Sequence, residues 1–303
     1  MKLLFLIMFI VFPLLAQNVK ISPELINRFK KTKLVNSKEI VSELNLQRGK
    51  KFSSDLFEMA NPYYPITTIY DNEANLPSAI NGQTGYRINK DESISFYHQE
   101  VVYKWFNQRS KFDRESEVCG LKFVDDTNIE YRLKTFPTSE SAASDGYVVT
   151  HQFHCGGCSS LHDLAIYLES RDLVTNGRKC ALKKGLNSSK KCHINLMGLS
   201  PVCSEVWAYS AMATKKRCKK ICLKEYGLIK ALLRKFPKER VNEDGTLKPC
   251  ILCDELRSGG AFRFSAGRSR RSSGITSSIQ REENEIYPID YRLYYEKFNL
   301  TYE

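Results

Sequence analysis

The amino-acid sequence predicts an α+β fold, in which helices and strands occupy separate stretches of the chain. Residues 17–60 are polar with apolar residues at helical spacing, and residues 61–150 carry short β-branched and aromatic runs. Helical spacing returns in residues 151–303, which also hold nine of the ten cysteines. Because such segregation is typical of α+β proteins, we expect a helical and antiparallel β-rich portion followed by a helical portion cross-linked by disulfides.

The N-terminal segment contains two predicted helices. Ser22 followed by Pro23 is typical of a helix start, because serine caps free N–H groups and proline fits the first turn. Leu25, Ile26 and Phe29 then recur at helical spacing, and a second run of this kind covers residues 37–46. Both runs predict amphipathic helices.

The β-rich portion is predicted from short runs that polar residues, glycine and asparagine separate. The runs lie at residues 66–70, 93–97, 101–106, 121–124, 129–133 and 147–150. Their length and spacing predict a largely antiparallel sheet, although residues 101–106 fit a helix equally well.

Helices are predicted again after Cys155. Ser160 with Asp163 three residues later has the form of a capping box, and an apolar stripe follows it. Further helices are expected over residues 203–224 and 226–236, the second ended by Pro237. Residues 258–281 are rich in glycine, serine and arginine, which predicts a long loop.

Residues 1–16 have the form of a secretory signal peptide. Lys2 precedes an uncharged stretch over residues 3–15, and Ala16 offers a small residue at the cleavage point. The stretch is shorter than the roughly 20 residues that a membrane-spanning helix needs. We therefore predict a secreted, extracellular protein with no transmembrane segment after signal cleavage.

Secretion determines how the ten cysteines are interpreted, because an oxidising compartment favours disulfides. They are Cys119, Cys155, Cys158, Cys180, Cys192, Cys203, Cys218, Cys222, Cys250 and Cys253. We expect five disulfides of undetermined connectivity. Two N-x-S/T sequons, at Asn187 and Asn299, predict glycosylation in the same compartment.

The net charge of +12 favours an anionic partner. An anionic ligand, a glycan or an acidic protein fits both the charge and secretion, whereas nucleic acid fits the charge only. The simpler explanation of the positive charge is that the basic residues lie on solvent-exposed faces of helices and bind no partner. The sequence indicates no cofactor.

One basic stretch is a candidate ligand site. Arg268, Arg270 and Arg271, with Ser273, are predicted to bind an anion, because guanidinium groups match phosphate, sulfate or carboxylate in bidentate geometry. Asp254 or Glu255 is expected to orient these arginines or to act as a base. The stretch over residues 268–271 also has the spacing of a furin-like processing site, and a solvated loop is the simpler interpretation.

Cys155-Gly156-Gly157-Cys158 lies at a predicted helix start, where the helix dipole stabilises a thiolate. This geometry fits a thiol–disulfide oxidoreductase using Cys155 and Cys158. Together with the Cys250 and Cys253 pair it also has zinc-knuckle spacing. The preferred interpretation is that these cysteines form structural disulfides, and we predict no metal site.

The string from Gln152 to Cys158 resembles the nucleophile motif of papain-like cysteine proteases. The resemblance implies that Gln152 donates to the oxyanion, Cys155 is disulfide-bonded and Cys158 attacks, with His193 as the base. The usual aromatic residue after the nucleophile is replaced by Ser159, and no segment resembles the one that orients the histidine.

A longer resemblance covers residues 151–295 and joins several motifs. They are HCGGCSSLHDLAIY at 154–167, LSPVCSEVWAY at 199–209, AGRSRRSSGI at 266–275 and YPIDY at 287–291. Together they resemble an uncharacterised family of secreted cysteine-rich proteins. The resemblance implies which proteins are related to this chain and assigns no activity to it.

Two classes of function follow from the sequence. The first is a secreted binding protein that takes an anionic partner through the basic stretch. The alternative is an extracellular enzyme with a pocket where the helix start at Cys155 meets the Asp254 and Arg268 segments.

Overall fold

A computed structural model describes residues 21–44, 86–88, 94–96, 117–233, 235–237, 239–243, 245–279 and 286–302. The predicted signal peptide and the predicted runs at residues 66–70 and 101–106 lie outside the described residues.

The described residues form helices and a mixed β-sheet. The helices are α1 (Pro23–Lys31), α2 (Ser37–Glu43), α3 (Ser139–Ser144), α4 (Leu161–Glu169), α5 (Val174–Ala181), α6 (Leu186–Met197), α7 (Pro201–Tyr226), α8 (Leu228–Leu232), α9 (Pro249–Arg257), α10 (Gly259–Ala266) and α11 (Arg292–Lys297), with a 3-10 turn at Arg271–Ser273. The strands are β1 (Lys33–Leu34), β2 (Tyr86–Ile88), β3 (Ile94–Phe96), β4 (Val118–Phe123), β5 (Glu130–Phe136) and β6 (Val148–Gln152). The predicted α+β class is confirmed.

The main sheet has the strand order β1-β5-β4-β6. Strand β4 pairs antiparallel with β5 and with β6, and Leu121 lies opposite Leu133. Strand β1 adds to the edge of β5 in parallel, with Leu34 opposite Tyr131. A separate antiparallel pair joins β2 and β3. The prediction of a largely antiparallel sheet therefore holds for the pairs of β4, while β1 makes the sheet mixed.

The predicted helix starts are present. The Ser22 side chain accepts a hydrogen bond of 3.2 Å from the N–H of Leu25, and the Ser160 side chain accepts one of 3.0 Å from Asp163. Each capped helix then turns its apolar stripe inward, and Leu25 and Leu164 are fully buried. The caps satisfy N–H groups that the first turn leaves without a helical partner.

The prediction of a loop over residues 258–281 is wrong in its first part, because helix α10 covers Gly259–Ala266. The helix is fixed by tertiary contacts that the local sequence does not encode. Phe262 packs against Trp207 with ring centroids 5.1 Å apart, and the carbonyls of Ser265 and Ala266 accept N–H bonds from Gly157 and Cys158.

One hydrophobic core brings together the first and the last of the described helices, α1 and α11. Phe29 of α1 packs edge-on against Tyr294 of α11 at 5.1 Å, and Leu121 and Leu133 of the sheet belong to the same buried cluster. The N–H of Ser22 also donates to the Tyr295 hydroxyl at 2.7 Å. The core therefore draws on the three portions predicted for residues 17–303, whose boundaries stay a prediction.

Candidate functional site

All ten cysteines are paired. The disulfides are Cys119–Cys155, Cys158–Cys203, Cys180–Cys192, Cys218–Cys253 and Cys222–Cys250. The first ties strand β4 to the segment before α4, and the second ties that same segment to α7. The third joins α5 to α6, and the last two join α7 to α9. The predicted cross-linking of the helical portion by disulfides is therefore present.

A cavity of about 280 Å³ lies between helices α4, α5, α6, α7, α9 and α10 and the segment over residues 269–279. Two of the bridges, Cys218–Cys253 and Cys222–Cys250, fix α9 to α7, so two of the walls are held covalently.

Much of the cavity wall is apolar. Trp207 of α7 and Phe262 of α10 meet edge-on, and Leu173, Val174 and Ile251 line the same space. The indole N–H of Trp207 donates to the Tyr167 hydroxyl at 3.3 Å, which fixes the ring's orientation. An apolar wall with an oriented aromatic ring suits the non-polar body of a small ligand.

Five arginines line the same cavity: Arg171, Arg178, Arg263, Arg270 and Arg271. The Arg270 guanidinium donates to the carbonyls of Tyr167 at 2.7 Å, Ser170 at 2.6 Å and Thr276 at 2.8 Å, so its position is fixed. Arg178 donates to the Pro237 carbonyl at 3.0 Å and lies 4.9 Å from the centre of the Tyr226 ring. Burial lowers the pKa of both groups, yet arginine remains charged in proteins.

Two carboxylates, Asp254 and Glu255, oppose the arginines in the cavity wall. Asp254 accepts a hydrogen bond from the Thr214 hydroxyl, which also contacts Ser258 at 2.8 Å. Burial raises the pKa of Asp254. The lining thus holds five cations against two acids, one of which is a weaker acid than usual, so the cavity is electropositive.

His193 also lines the cavity, from α6. The ring is fully buried, and its Nδ1 lies 2.8 Å from the Ser189 carbonyl, which makes Nδ1–H the donor. Nε2 then carries a lone pair without a hydrogen-bond partner among the described residues. Burial lowers the pKa of His193 to about 4, so the ring is neutral at physiological pH.

The pKa of His193 predicts an acid-induced loss of stability. The unfolded histidine binds a proton below a pH of roughly 6.5, whereas the folded one does so only near pH 4. The free energy of unfolding should therefore fall as the pH drops from 6.5 to 4, by up to about 3 kcal/mol. Urea unfolding across this range measures the slope, and His193→Gln should flatten it. Burial also lowers the pKa of His151, so this residue should account for the part of the slope that remains in the variant. A slope identical to that of the wild type would contradict the assignment to His193.

The residues predicted as catalytic do not form one cluster. His193 and Asp254 line the cavity, whereas Cys158 and Gln152 are not among its lining residues. Cys158 is bonded to Cys203 and fully buried, so in this oxidised state it carries no thiol to act as a nucleophile. In an oxidised thiol–disulfide oxidoreductase motif, Cys155 and Cys158 would be bonded to each other. Here Cys155 is bonded to Cys119 and Cys158 to Cys203.

The basic stretch is divided in the same way. Arg270 and Arg271 line the cavity beside Asp254, but Arg268 and Ser273 are fully buried elsewhere. The two terminal nitrogens of the Arg268 guanidinium donate to Thr150, Ser159 and Ser273, so both are engaged within the fold. We therefore correct the predicted ligand site by removing Arg268 and Ser273. The burial of Arg268 also removes the side chain that a furin-like protease would read.

The predicted glycosylation sites are accessible. Asn187 in the first turn of α6 and Asn299 after α11 are both exposed. Their occupancy stays a prediction.

Sequence reasoning missed Arg171, Arg178, Arg263 and Trp207 as cavity residues. They come from four separate segments that only the folded chain brings together, and no local motif connects them.

Residues 186–289 match the model of a family of unknown function (DUF8771). No curated protein and no solved structure matches the chain. The matched stretch covers α6 to α10 and the segment 269–279, which supply most of the cavity wall, but not α4 and α5. Within the part of the chain that the structure describes, no helix combines the length and apolarity that crossing a bilayer requires.

Proposed function

We propose that the chain is a secreted, disulfide-stabilised binding protein whose cavity takes a small ligand with an anionic group and an apolar body. The observation that carries this proposal is the convergence of five arginines and the Trp207–Phe262 wall on one space. The proposal keeps Arg270 and Arg271 from the basic stretch and replaces Arg268 with cavity arginines from other elements.

The charge of the lining favours an anion. Arginine donates in a planar fork that matches carboxylate, sulfate or phosphate oxygens. Arg270 already spends three donors on backbone carbonyls, so it contributes mainly its charge. Arg171 is exposed and also lines the cavity, so its guanidinium can reach a ligand that is bound there.

The size and the walls favour a small amphipathic molecule. A cavity of about 280 Å³ lies just below the range of about 300–1,000 Å³ that is usual for ligand pockets, which favours a small ligand. A wholly polar ion would leave Trp207 and Phe262 facing water, whereas a ligand with an aromatic or aliphatic body covers them and gains hydrophobic free energy.

A pair of fluorescent probes tests the charge requirement. Anilinonaphthalene sulfonate should bind one site per chain, and Arg171→Gln with Arg271→Gln should weaken it about tenfold or more, because charge-assisted hydrogen bonds contribute about 1.5–3 kcal/mol. The neutral analogue phenylnaphthylamine should be affected far less. Fluorescence titration measures both affinities.

The matched control is Arg28→Gln with Arg132→Gln, two exposed arginines outside the cavity that change the net charge equally. A second variant, Ala211→Trp, places a ring in the cavity and should abolish binding of both probes. If the control pair weakens the sulfonate as much as the cavity pair, or if Ala211→Trp leaves its binding intact, the cavity is not the site.

Secretion is the second part of the proposal. It is supported by the form of residues 1–16 and by the complete pairing of the cysteines, since disulfides persist in oxidising compartments. N-terminal sequencing of the exported chain tests it: a mature start after Ala16 is expected, and retention of Lys2 in the exported protein would contradict it.

The extracellular-enzyme alternative is not supported by a comparable observation. A cysteine hydrolase or an oxidoreductase needs a thiolate at Cys158, whose sulfur is held in a buried disulfide.

A further inference from the structure

A second surface of the molecule combines exposed apolar side chains with a dense positive charge. Helix α8 follows α7 after Gly227, which has a positive φ of 76° that turns the chain. Leu228, Ile229 and Leu233 are 60%, 72% and 59% exposed, more than any other large apolar side chain among the described residues. Three such residues within six positions form an apolar patch rather than a scattered background.

The surrounding sequence is the most basic part of the chain. Residues 215–235, which we call the basic apolar segment, contain nine lysines and arginines and one acid, Glu225. The Glu225 carboxylate accepts the N–H of Cys250 at 2.6 Å, so it is engaged within the fold. The excess of eight positive charges in this segment accounts for most of the net charge of +12.

The disulfides determine which side of α7 faces outward. Cys218 and Cys222 lie one helical turn apart and bind Cys253 and Cys250 of α9. The inward face of α7 is therefore fixed, and Lys215, Lys219 and Lys220 are exposed. Lys230 and Lys235 are exposed beside the apolar patch, so cations and apolar side chains share one part of the surface.

We propose that the basic apolar segment docks the protein on an anionic phospholipid surface. Leu228, Ile229 and Leu233 insert at the level of the upper acyl chains, and the exposed lysines lie near the lipid phosphates. Short apolar insertions combined with a polybasic face are how peripheral proteins bind anionic bilayers. This proposal does not depend on the cavity or its ligand.

The combination of features favours lipid over the other anionic partners. A sulfated glycan would pair with the lysines but leave the three apolar side chains in water. The exposed cations described here are lysines, whose compact charge suits a diffuse field of phosphates better than a defined bidentate contact. A bilayer also needs no shape complementarity, which a helix of five residues would hardly provide.

Vesicle flotation with the full chain tests the proposal. The protein should float with phosphatidylcholine–phosphatidylserine vesicles, remain in solution with phosphatidylcholine alone, and be released by salt. Leu228→Ser/Ile229→Ser/Leu233→Ser and Lys219→Gln/Lys220→Gln/Lys230→Gln should each lower the bound fraction about tenfold. All six side chains are exposed, so both variants should retain the wild-type midpoint of thermal unfolding.

Matched control variants distinguish binding through this surface from non-specific adsorption to vesicles. Val124→Ser/Ile129→Ser/Leu196→Ser and Lys31→Gln/Lys38→Gln/Lys184→Gln change equally many exposed residues elsewhere and should bind as the wild type does. Heparin resin provides the glycan comparison, on which the serine variant should be retained normally. If the serine variant still binds vesicles as the wild type does, or if the chain binds heparin and no vesicle, the lipid proposal is overturned.

Discussion

Replacing Arg268 with alanine will lower the free energy of unfolding by about 3–5 kcal/mol, because it leaves several buried hydrogen-bond acceptors without their donor at about 1–3 kcal/mol each. The side chain is fully buried and is the largest among the fully buried side chains of the described residues. Its Nη1 donates to the Thr150 carbonyl at 3.1 Å and to Ser273 at 3.0 Å, and its Nη2 donates to the Thr150 hydroxyl at 2.6 Å and to the Ser159 carbonyl at 3.0 Å. One guanidinium therefore connects strand β6, the turn before α4 and the 3-10 turn.

The cost comes from what the substitution leaves behind. Two buried carbonyls and two buried hydroxyls lose a donor, and each unsatisfied buried group costs about 1–3 kcal/mol unless water enters. Burial lowers the pKa of Arg268, and the four tyrosines around it have raised pKa values and remain neutral, so the charge is stabilised by dipoles.

Urea unfolding measures the effect against two controls. Arg268→Lys should fall between the wild type and alanine, because one ammonium cannot occupy both arms of the fork. Arg132→Ala, which removes an exposed arginine paired with exposed Glu39, should change the unfolding free energy by less than about 1 kcal/mol. A loss below about 1 kcal/mol for Arg268→Ala would show that the guanidinium does not hold these segments together.

Arg268 also illustrates what the sequence can predict. Local signals identified the start of α1 at Ser22, the start of α4 at Ser160 and the strands over residues 121–124 and 129–133, because caps and alternation act over a few residues. The stretch Arg268-Ser269-Arg270-Arg271 carries no local sign of burial. Three of the four hydrogen bonds of the Arg268 guanidinium go to acceptors more than 100 residues earlier in the chain, at Thr150 and Ser159.

The candidate site was predictable to a similar extent. Asp254, Arg270 and Arg271 were selected for their chemistry, and the structure places them around one cavity. Arg171 and Arg178 were not selected, because an isolated arginine in a helical stretch usually indicates a solvated face. Only the packing of α5 against α7 and of α9 against α7 gives these arginines a shared space.

Replacing Gly156 with alanine is the other change with a large expected effect, about 2–3 kcal/mol of lost stability, because it forces overpacking between two backbones. An added Cβ would lie 2.5 Å from the Gly267 nitrogen and 2.6 Å from the Ala266 carbonyl carbon. The reverse substitution is equally crowded, because a Cβ added to Gly267 would lie 2.4 Å from the Gly156 nitrogen. The two glycines therefore allow the segment after α10 to cross directly over the turn that precedes α4.

Backbone atoms cannot rotate away as a side chain can, so the strain must separate the two segments. That separation would lengthen the hydrogen bonds from Gly157 to Ser265 at 2.8 Å and from Cys158 to Ala266 at 2.9 Å. Gly259→Ala is the matched control, since its Cβ would meet the nearest atom at 3.9 Å, an ordinary contact. Urea unfolding should show a lower midpoint for Gly156→Ala and little change for Gly259→Ala; equal midpoints would contradict the crossing. Because Arg270 and Arg271 lie only three and four residues after Gly267, the same variant should weaken the sulfonate probe, which links this crossing to the geometry of the cavity.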